Sequence, residues 1–210
     1  MAQYNRKDHL HQKAKKDGLR SRAAYKLEEV QKSARLLKKG HRVFDLGCWP
    51  GGWLEIAAGL VGKSGRVVGV DRAEVDPEIP LSQVTTFVGD LEDADIAVRL
   101  REALGAERAD VVLSDAAPKL TGIRETDRAN VERLLEAIES LLPLLLAEGG
   151  SLLIKILEGP EAAVVDRRIR KSFEKAKAVK LKSTRKGSTE RYLIARGYRG
   201  AAPGEGTAIR

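Results

Sequence analysis

Apolar residues recur along this chain in two alternating periods, and each change of period marks a new element. Between residues 21 and 32, Ala24, Leu27 and Val30 share one helical face, with Ser21 as candidate N-cap. Strand-like runs follow at 42–46, 66–71, 84–89, 110–115 and 151–157. Helical patterns lie between them at 53–60, 91–104, 127–147 and 161–177, the third of these stopped by Gly149 and Gly150. Two last strands are predicted at 178–183 and 190–195, too close for an intervening helix, so they should form an antiparallel hairpin. Alternating strands and helices predict an α/β, Rossmann-like fold. It should hold a seven-stranded, mostly parallel sheet with helices on both faces and the antiparallel hairpin at its C-terminal end.

A chain of 210 residues with 42% apolar content suits one domain. Residues 1–20 read as a basic arm without periodicity, 21–197 as the folded unit and 198–210 as a Gly- and Pro-rich disordered tail. No apolar run approaches the ~20 residues that span a bilayer, and the N-terminus lacks a signal-like apolar segment. The lone Cys48 excludes an internal disulfide and a cysteine-built zinc site, and no metal-ligand set is evident. A soluble cytoplasmic monomer without membrane contact or obligate protein partner is expected.

Charge sharpens the picture. Residues 1–42 hold 13 Lys/Arg against 4 Asp/Glu, and residues 167–199 hold 13 against 2. The remainder carries a net −12, because the whole chain is only +8. Two basic ends around an acidic middle attract a phosphate backbone and release its counterions. With 4% aromatic residues, a base-stacking platform is not obvious.

Candidate chemistry falls at strand ends, where ligands bind in such sheets. The loop Asp45-Leu46-Gly47-Cys48-Trp49-Pro50-Gly51-Gly52-Trp53 joins the first strand to its helix. Its glycines let the backbone approach a ligand closely. Trp49 occupies the place where a dinucleotide fingerprint needs glycine, and Asp45 suits a cation better than a pyrophosphate. Asp71 ends the second strand, placed to accept bonds from ribose hydroxyls, and Asp90 ends the third, placed for an adenine amino group. Each acid alone also reads as a turn or helix cap. Three on successive strands beside the glycine loop point to a nucleoside cofactor.

The fourth strand ends in Ser114-Asp115-Ala116-Ala117-Pro118, and the fifth carries Lys155 amid Leu152, Leu153, Ile154, Ile156 and Leu157. A buried ammonium must pair or lose its proton, unless Lys155 snorkels at a strand edge. Adjacent central strands would bring Asp115 to it. A desolvated lysine can serve as a general base, although a neighbouring carboxylate opposes the necessary fall in pKa.

These stretches, with GLRSRAAYKLEEV (18–30), DLGCWPGGW (45–53), LLIKIL (152–157) and STERYLIA (188–195), resemble the FtsJ/RrmJ family of ribosomal RNA large-subunit 2′-O-methyltransferases. The resemblance implies a class I methyltransferase fold, S-adenosyl-L-methionine as cofactor, and methylation of a uridine ribose in 23S-type RNA on the 50S subunit. It also implies a tetrad of Lys26, Asp115, Lys155 and Glu190. In it Lys155 is the base, Asp115 orients it, and Lys26 and Glu190 hold the ribose. Gly51, Trp53, Asp71, Asp90 and Asp115 would line the cofactor site, with Asp45, Gly47 and Gly52 from the same loop. Without the resemblance Lys26 reads as a solvated helix lysine and Glu190 as a surface acid. Cys48-Trp49 and Lys119 depart from the family pattern; the former pair implies a bulkier cofactor wall. Transfer RNA or cap ribose methylation, and a non-catalytic ribosome assembly factor, are the alternatives.

Overall fold

The computed structural model describes residues 9–119, 121–185 and 187–200. Its centre is a seven-stranded sheet: β1 (Arg42–Leu46), β2 (Arg66–Asp71), β3 (Val84–Val88), β4 (Ala109–Ser114), β5 (Leu146–Leu157), β6 (Phe173–Val179) and β7 (Glu190–Tyr198). The order is β3-β2-β1-β4-β5-β7-β6, parallel except for β7, which runs antiparallel to both β5 and β6. The expected sheet and terminal antiparallel pair are therefore present. The chain reverses its direction of winding between β1 and β4, which opens a crevice beyond their carboxyl ends.

Among the described residues six helices complete the fold: α1 (His9–Lys16), α2 (Ala24–Ala34), α3 (Gly52–Val61), α4 (Ile96–Leu104), α5 (Arg124–Leu145) and α6 (Pro160–Lys171). The sheet separates two cores. Leu27, Val30, Trp53 and Leu54 of α2 and α3 pack on one face, and Leu100, Ile138, Leu145 and Val165 of α4, α5 and α6 on the other. Each of β1, β2 and β4 is buried on both faces and accordingly reads as a mostly apolar run without alternation, with Asp45 as a buried exception in β1.

Several expected boundaries move, each for a local reason. Residues 9–16, read as part of an aperiodic arm, form α1. Its Ala14 is buried, and Lys13 and Asp17 meet each other and the Tyr25 hydroxyl. Residues 1–8 lie outside the described residues, as do 201–210 of the expected tail. Ser21 does not cap α2, which starts at Ala24 with Ala23 as its cap residue. The helix expected from residue 91 starts at Ile96, because the Asp90 and Asp93 carboxylates bond backbone N–H groups of Glu92 and Asp90 and hold a turn. Conversely α5 begins three residues before Asp127, whose carboxylate reaches back to the Thr121 and Gly122 N–H groups.

Gly149 and Gly150 do not stop α5. The chain passes from Leu145 straight into β5, and residues 147–150 bulge between the pairs Ala109↔Leu146 and Val111↔Ser151. The helix expected over 161–177 ends at Lys171, and 173–179, not 178–183, form the edge strand. Phe173 and Ala176 dock on the core through that strand, so tertiary pairing overrides the helical preference of Glu, Lys and Ala. Strand β7 continues to buried Tyr198, three residues beyond the expected end.

Candidate active site

Beyond the carboxyl ends of β1, β2, β3 and β4 lies a cleft of about 330 Å³, walled by Gly47, Trp49, Asp71, Asp90, Asp115 and residues of α5. A recess of about 30 Å³ adjoins it, bordered by Ser21, Asp45, Gly52, Trp53 and Asp115. Gly47, Trp49 and Asp115 belong to both.

Backbone constraints explain the glycines. Gly47 has φ +81°, and a Cβ there would lie 2.5 Å from the Ala116 Cβ, so only glycine lets β1 and β4 end this close together. A Cβ on Gly52 would lie 2.3 Å from Ser21 Oγ, so the second glycine preserves the recess. Gly51, expected to line the cofactor site, instead makes the φ +101° turn into α3 and borders neither cavity. The Cys48-Trp49 bulk is divided. Cys48 packs into the core, where burial and then the charges of Asp45 and Asp71 push its thiol pKa up, while Trp49 is 58% exposed at the cleft. Lys119 is exposed.

Asp71 accepts the Trp49 N–H (3.0 Å) on one oxygen and the Ala73 N–H (3.0 Å) on the other, which fixes its carboxylate at the cleft wall with lone pairs to spare. Asp90 pairs with Arg72 at 2.7 Å. Although burial disfavours its charge, the Glu92 N–H and Arg72 hold its carboxyl below the usual range. Asp45 is different. It is only 1% exposed, and its Oδ2 has no hydrogen-bond partner among the described residues; nor has the buried Ser21 Oγ. Burial first, then the charges of Asp115 and Asp71, push the Asp45 pKa well above its ordinary value. A buried acceptor and hydroxyl without partners fit a ligand that brings its own polar, cationic end.

Where Asp115 borders the cleft, four charged side chains converge from four elements. Lys26 of α2 lies 2.8 Å from Glu190 of β7 and 3.4 Å from Asp115, which directly follows β4. Lys155 of β5 lies 3.2 Å from the Asp115 carboxylate and donates to the Asp115 carbonyl at 2.5 Å. Pairing of β4 with β5 brings these two together, as their sequence positions imply. Burial opposes the charge of Asp115, but Lys155, then Lys26 and the Tyr192 hydroxyl outweigh it and hold its pKa down.

Tyr192 escaped the sequence reading. Its hydroxyl donates to Asp115 (2.6 Å) and accepts from Lys26 (2.7 Å), so it bridges two of the four charges. Its ring packs against Trp53, whose indole N–H donates to the Ala23 carbonyl. Burial, then the charges of Asp115 and Glu190, push the phenol pKa up, so it stays a neutral donor. The available signal was its place two residues after Glu190, on the same face of one strand. Glu29 was also missed. It accepts bonds from the Lys182 and Ser183 N–H groups and thereby holds the loop between β6 and β7 against α2.

Known proteins share sequence and fold with this chain. Residues 19–198 match the family model described as FtsJ-like methyltransferase. The chain is 40% identical over 195 residues to ribosomal RNA large subunit methyltransferase E of Methanothermobacter thermautotrophicus, covering 93% of this chain and 92% of that one. It is also 40% identical over 196 residues to the protein of that name in Acidithiobacillus ferrooxidans, covering 93% and 88%. Among solved structures, a ribosomal RNA methyltransferase of Plasmodium falciparum aligns with TM-score 0.74 at 28% identity, over 86% of this chain and 99% of that one. Fibrillarin of Methanococcus jannaschii, at 15% identity and TM-score 0.60, over 79% of this chain and 69% of that one, shares the fold.

Proposed function

The chain belongs to the FtsJ-like methyltransferase family, and from that premise we propose that it methylates the ribose 2′-hydroxyl of a uridine in large-subunit ribosomal RNA. The substrate is the assembled or nearly assembled 50S particle, and Lys155 is the general base. The observation that carries this reading is the convergence of Lys26, Asp115, Lys155 and Glu190 where Asp115 borders a nucleoside-sized cleft.

S-adenosyl-L-methionine, when bound, supplies an electrophilic methyl group on a sulfonium. Asp71 suits its ribose hydroxyls and Asp90 its adenine amino group. Asp45 Oδ2 and Ser21 Oγ, which have no hydrogen-bond partner among the described residues, suit its methionine end. A ribose hydroxyl is a weak nucleophile and needs its proton removed as it attacks. To serve as that base Lys155 must first release a proton from its ammonium. Its free Nζ then holds the hydroxyl proton as the hydroxyl oxygen bonds the methyl carbon, and the S–C bond breaks to leave the donor as a neutral thioether. Asp115 holds the amine in place through its carboxylate and carbonyl. Lys26, anchored by Glu190 and Tyr192, orients the ribose, so positioning supplies most of the acceleration. The basic residues 1–20 and 167–199 favour a large phosphate surface.

The test is to incubate the protein with labelled methyl donor and undermethylated large subunits, and to map the product by mass spectrometry. Methyl on one uridine ribose is expected. Lys155→Ala should lower turnover by at least about a hundredfold, the usual contribution of a positioned base, while donor affinity measured by calorimetry stays within about threefold. Label on a base, or full turnover by Lys155→Ala, would overturn the reading.

A further inference from the structure

We propose that the groove between the C-terminal half of α2 and the β6–β7 ribbon is a second contact surface for the phosphate backbone of the substrate RNA, remote from the methylated ribose. The inference rests on the RNA reading above and adds a site to it.

The groove encloses about 310 Å³ and is lined by Ser33, Ala34, Lys175, Ala176, Lys177, Ile194 and Arg196, three cations with no carboxylate among them. Strand pairing sets its place. Val179 pairs with Tyr192 at the level of the tetrad, then Lys177 with Ile194 and Lys175 with Arg196. At ~3.3 Å per residue these rungs lie roughly 7 and 13 Å below Tyr192. Helix α2 descends beside them, from Lys26 in the tetrad to Ser33 and Ala34, roughly 11 Å lower. One end of the groove thus points to the catalytic centre and the other to the opposite edge of the sheet.

The Arg196 guanidinium donates to the Ala34 carbonyl, which anchors it across the groove. Arg196 also borders a further cavity of about 340 Å³, where Arg35, Lys38 and His41 face Asp110 and Glu148. Buried His41 Nδ1 has no partner there among the described residues. Arg35 and Lys38 thus carry positive charge past the end of α2, partly offset there by Asp110 and Glu148.

What distinguishes these cations is the lack of local neutralisation. On the opposite face Arg168 is bound by Glu136 and Glu139, Arg133 by Glu92 and Arg101 by Glu107. Lys175 and Lys177 are exposed and pair with no acid among the described residues. Glu174, the nearest acid in sequence, projects from the other face of β6, where it crowds Gly197. No aromatic side chain lines the groove, and its apolar side chains are Ala34 and Ile194. Such a surface reads a sugar-phosphate backbone and does not stack bases. The competing account is that lysines on edge strand β6 only deter strand-to-strand aggregation.

The full-length protein and its Lys175→Gln/Lys177→Gln variant should be titrated with a large-subunit RNA fragment, and with undermethylated subunits, across a salt series. Removing two phosphate contacts should reduce the magnitude of the slope of log K against log salt by about 1.4 for single-stranded and 1.8 for duplex contacts. KM for RNA should rise about tenfold at low salt, with kcat at saturating RNA and donor affinity within twofold. Arg35→Gln/Lys38→Gln should reduce the slope in the same direction and serves as the second variant if the first aggregates. An unchanged slope in a folded variant would overturn the groove, whether or not its aggregation changes. If the wild-type protein transfers no methyl group to ribosomal RNA, the functional reading fails instead; normal wild-type turnover with unaltered variant slopes removes the groove alone.

Discussion

Replacing Asp115 with asparagine tests the logic of the charged cluster directly. The four tetrad side chains sum to zero, two ammonium groups against two carboxylates, all largely buried. Asp115 lies 3.2 Å from Lys155 and 3.4 Å from Lys26. At an effective dielectric constant near 20, each contact is worth about 5 kcal/mol of gross attraction, most of it offset by desolvation. Lys26 keeps Glu190 at 2.8 Å, whereas Lys155 has no other carboxylate within ion-pair distance among the described residues. Asp115→Asn thus strands a buried ammonium, at an expected net cost of about 3–5 kcal/mol. For a domain of this size that lowers Tm by roughly 6–20 °C. Because the folded-state pKa of Asp115 is depressed, its contribution is complete above the unfolded value near 4 and is lost as pH falls through the folded value. The Tm gap between wild type and Asp115→Asn should therefore be constant from pH 7.5 to 5 and narrow below pH 4, read by circular dichroism. Adding Lys155→Met to Asp115→Asn removes the stranded charge and should recover about 0.5–3 kcal/mol as a coupling energy. A Tm within 2 °C of wild type at pH 7.5 would refute the argument.

Two further outcomes follow from the cofactor pocket. The folded-state pKa of Asp45 is raised, so its ionisation destabilises the cofactor-free protein as pH climbs above the unfolded value. Asp45→Asn cannot ionise, and should raise the Tm of the free protein more at pH 8 than at pH 5. It should nevertheless weaken donor binding at least about tenfold, or ~1.4 kcal/mol, by calorimetry; equal Tm changes at both pH values would contradict the assignment. Gly47→Ala forces φ +81° on a residue with a Cβ and drives that Cβ to 2.5 Å from Ala116. A loss of more than about 1 kcal/mol in stability, together with at least a tenfold loss in donor affinity, is expected; chemical denaturation and calorimetry measure the two.

Hydrophobic period alone determined much of this protein. The buried strands β1, β2 and β4 are short and mostly apolar, and their pairs Val43-Phe44 and Val67-Val68 and the run Val111-Val112-Leu113 fit strands covered on two faces. Strand-end acids were equally legible, because the carboxyl ends of parallel strands are where such a sheet opens to a ligand. Local pattern failed where distant partners decided. Residues 173–179 carry helix-forming Glu, Lys and Ala but become β6, because β7 offers an edge to pair with and the core accepts Phe173. The glycine pair 149–150 is a stop signal in sequence and a bulge in space, since β4 continues to pair on both sides of it. Tyr192 was invisible as a site residue because a tyrosine in an apolar strand is ordinary core. Only the meeting of α2, β4, β5 and β7 places its hydroxyl between Lys26 and Asp115. The same holds for Ser21, a plausible helix cap by sequence whose buried hydroxyl has no partner among the described residues and borders the recess with Asp45. Periodicity is set by which residues leave water, and it is carried along the chain. The pairing of charges is set by atoms a hundred residues apart, and only the folded chain brings them together.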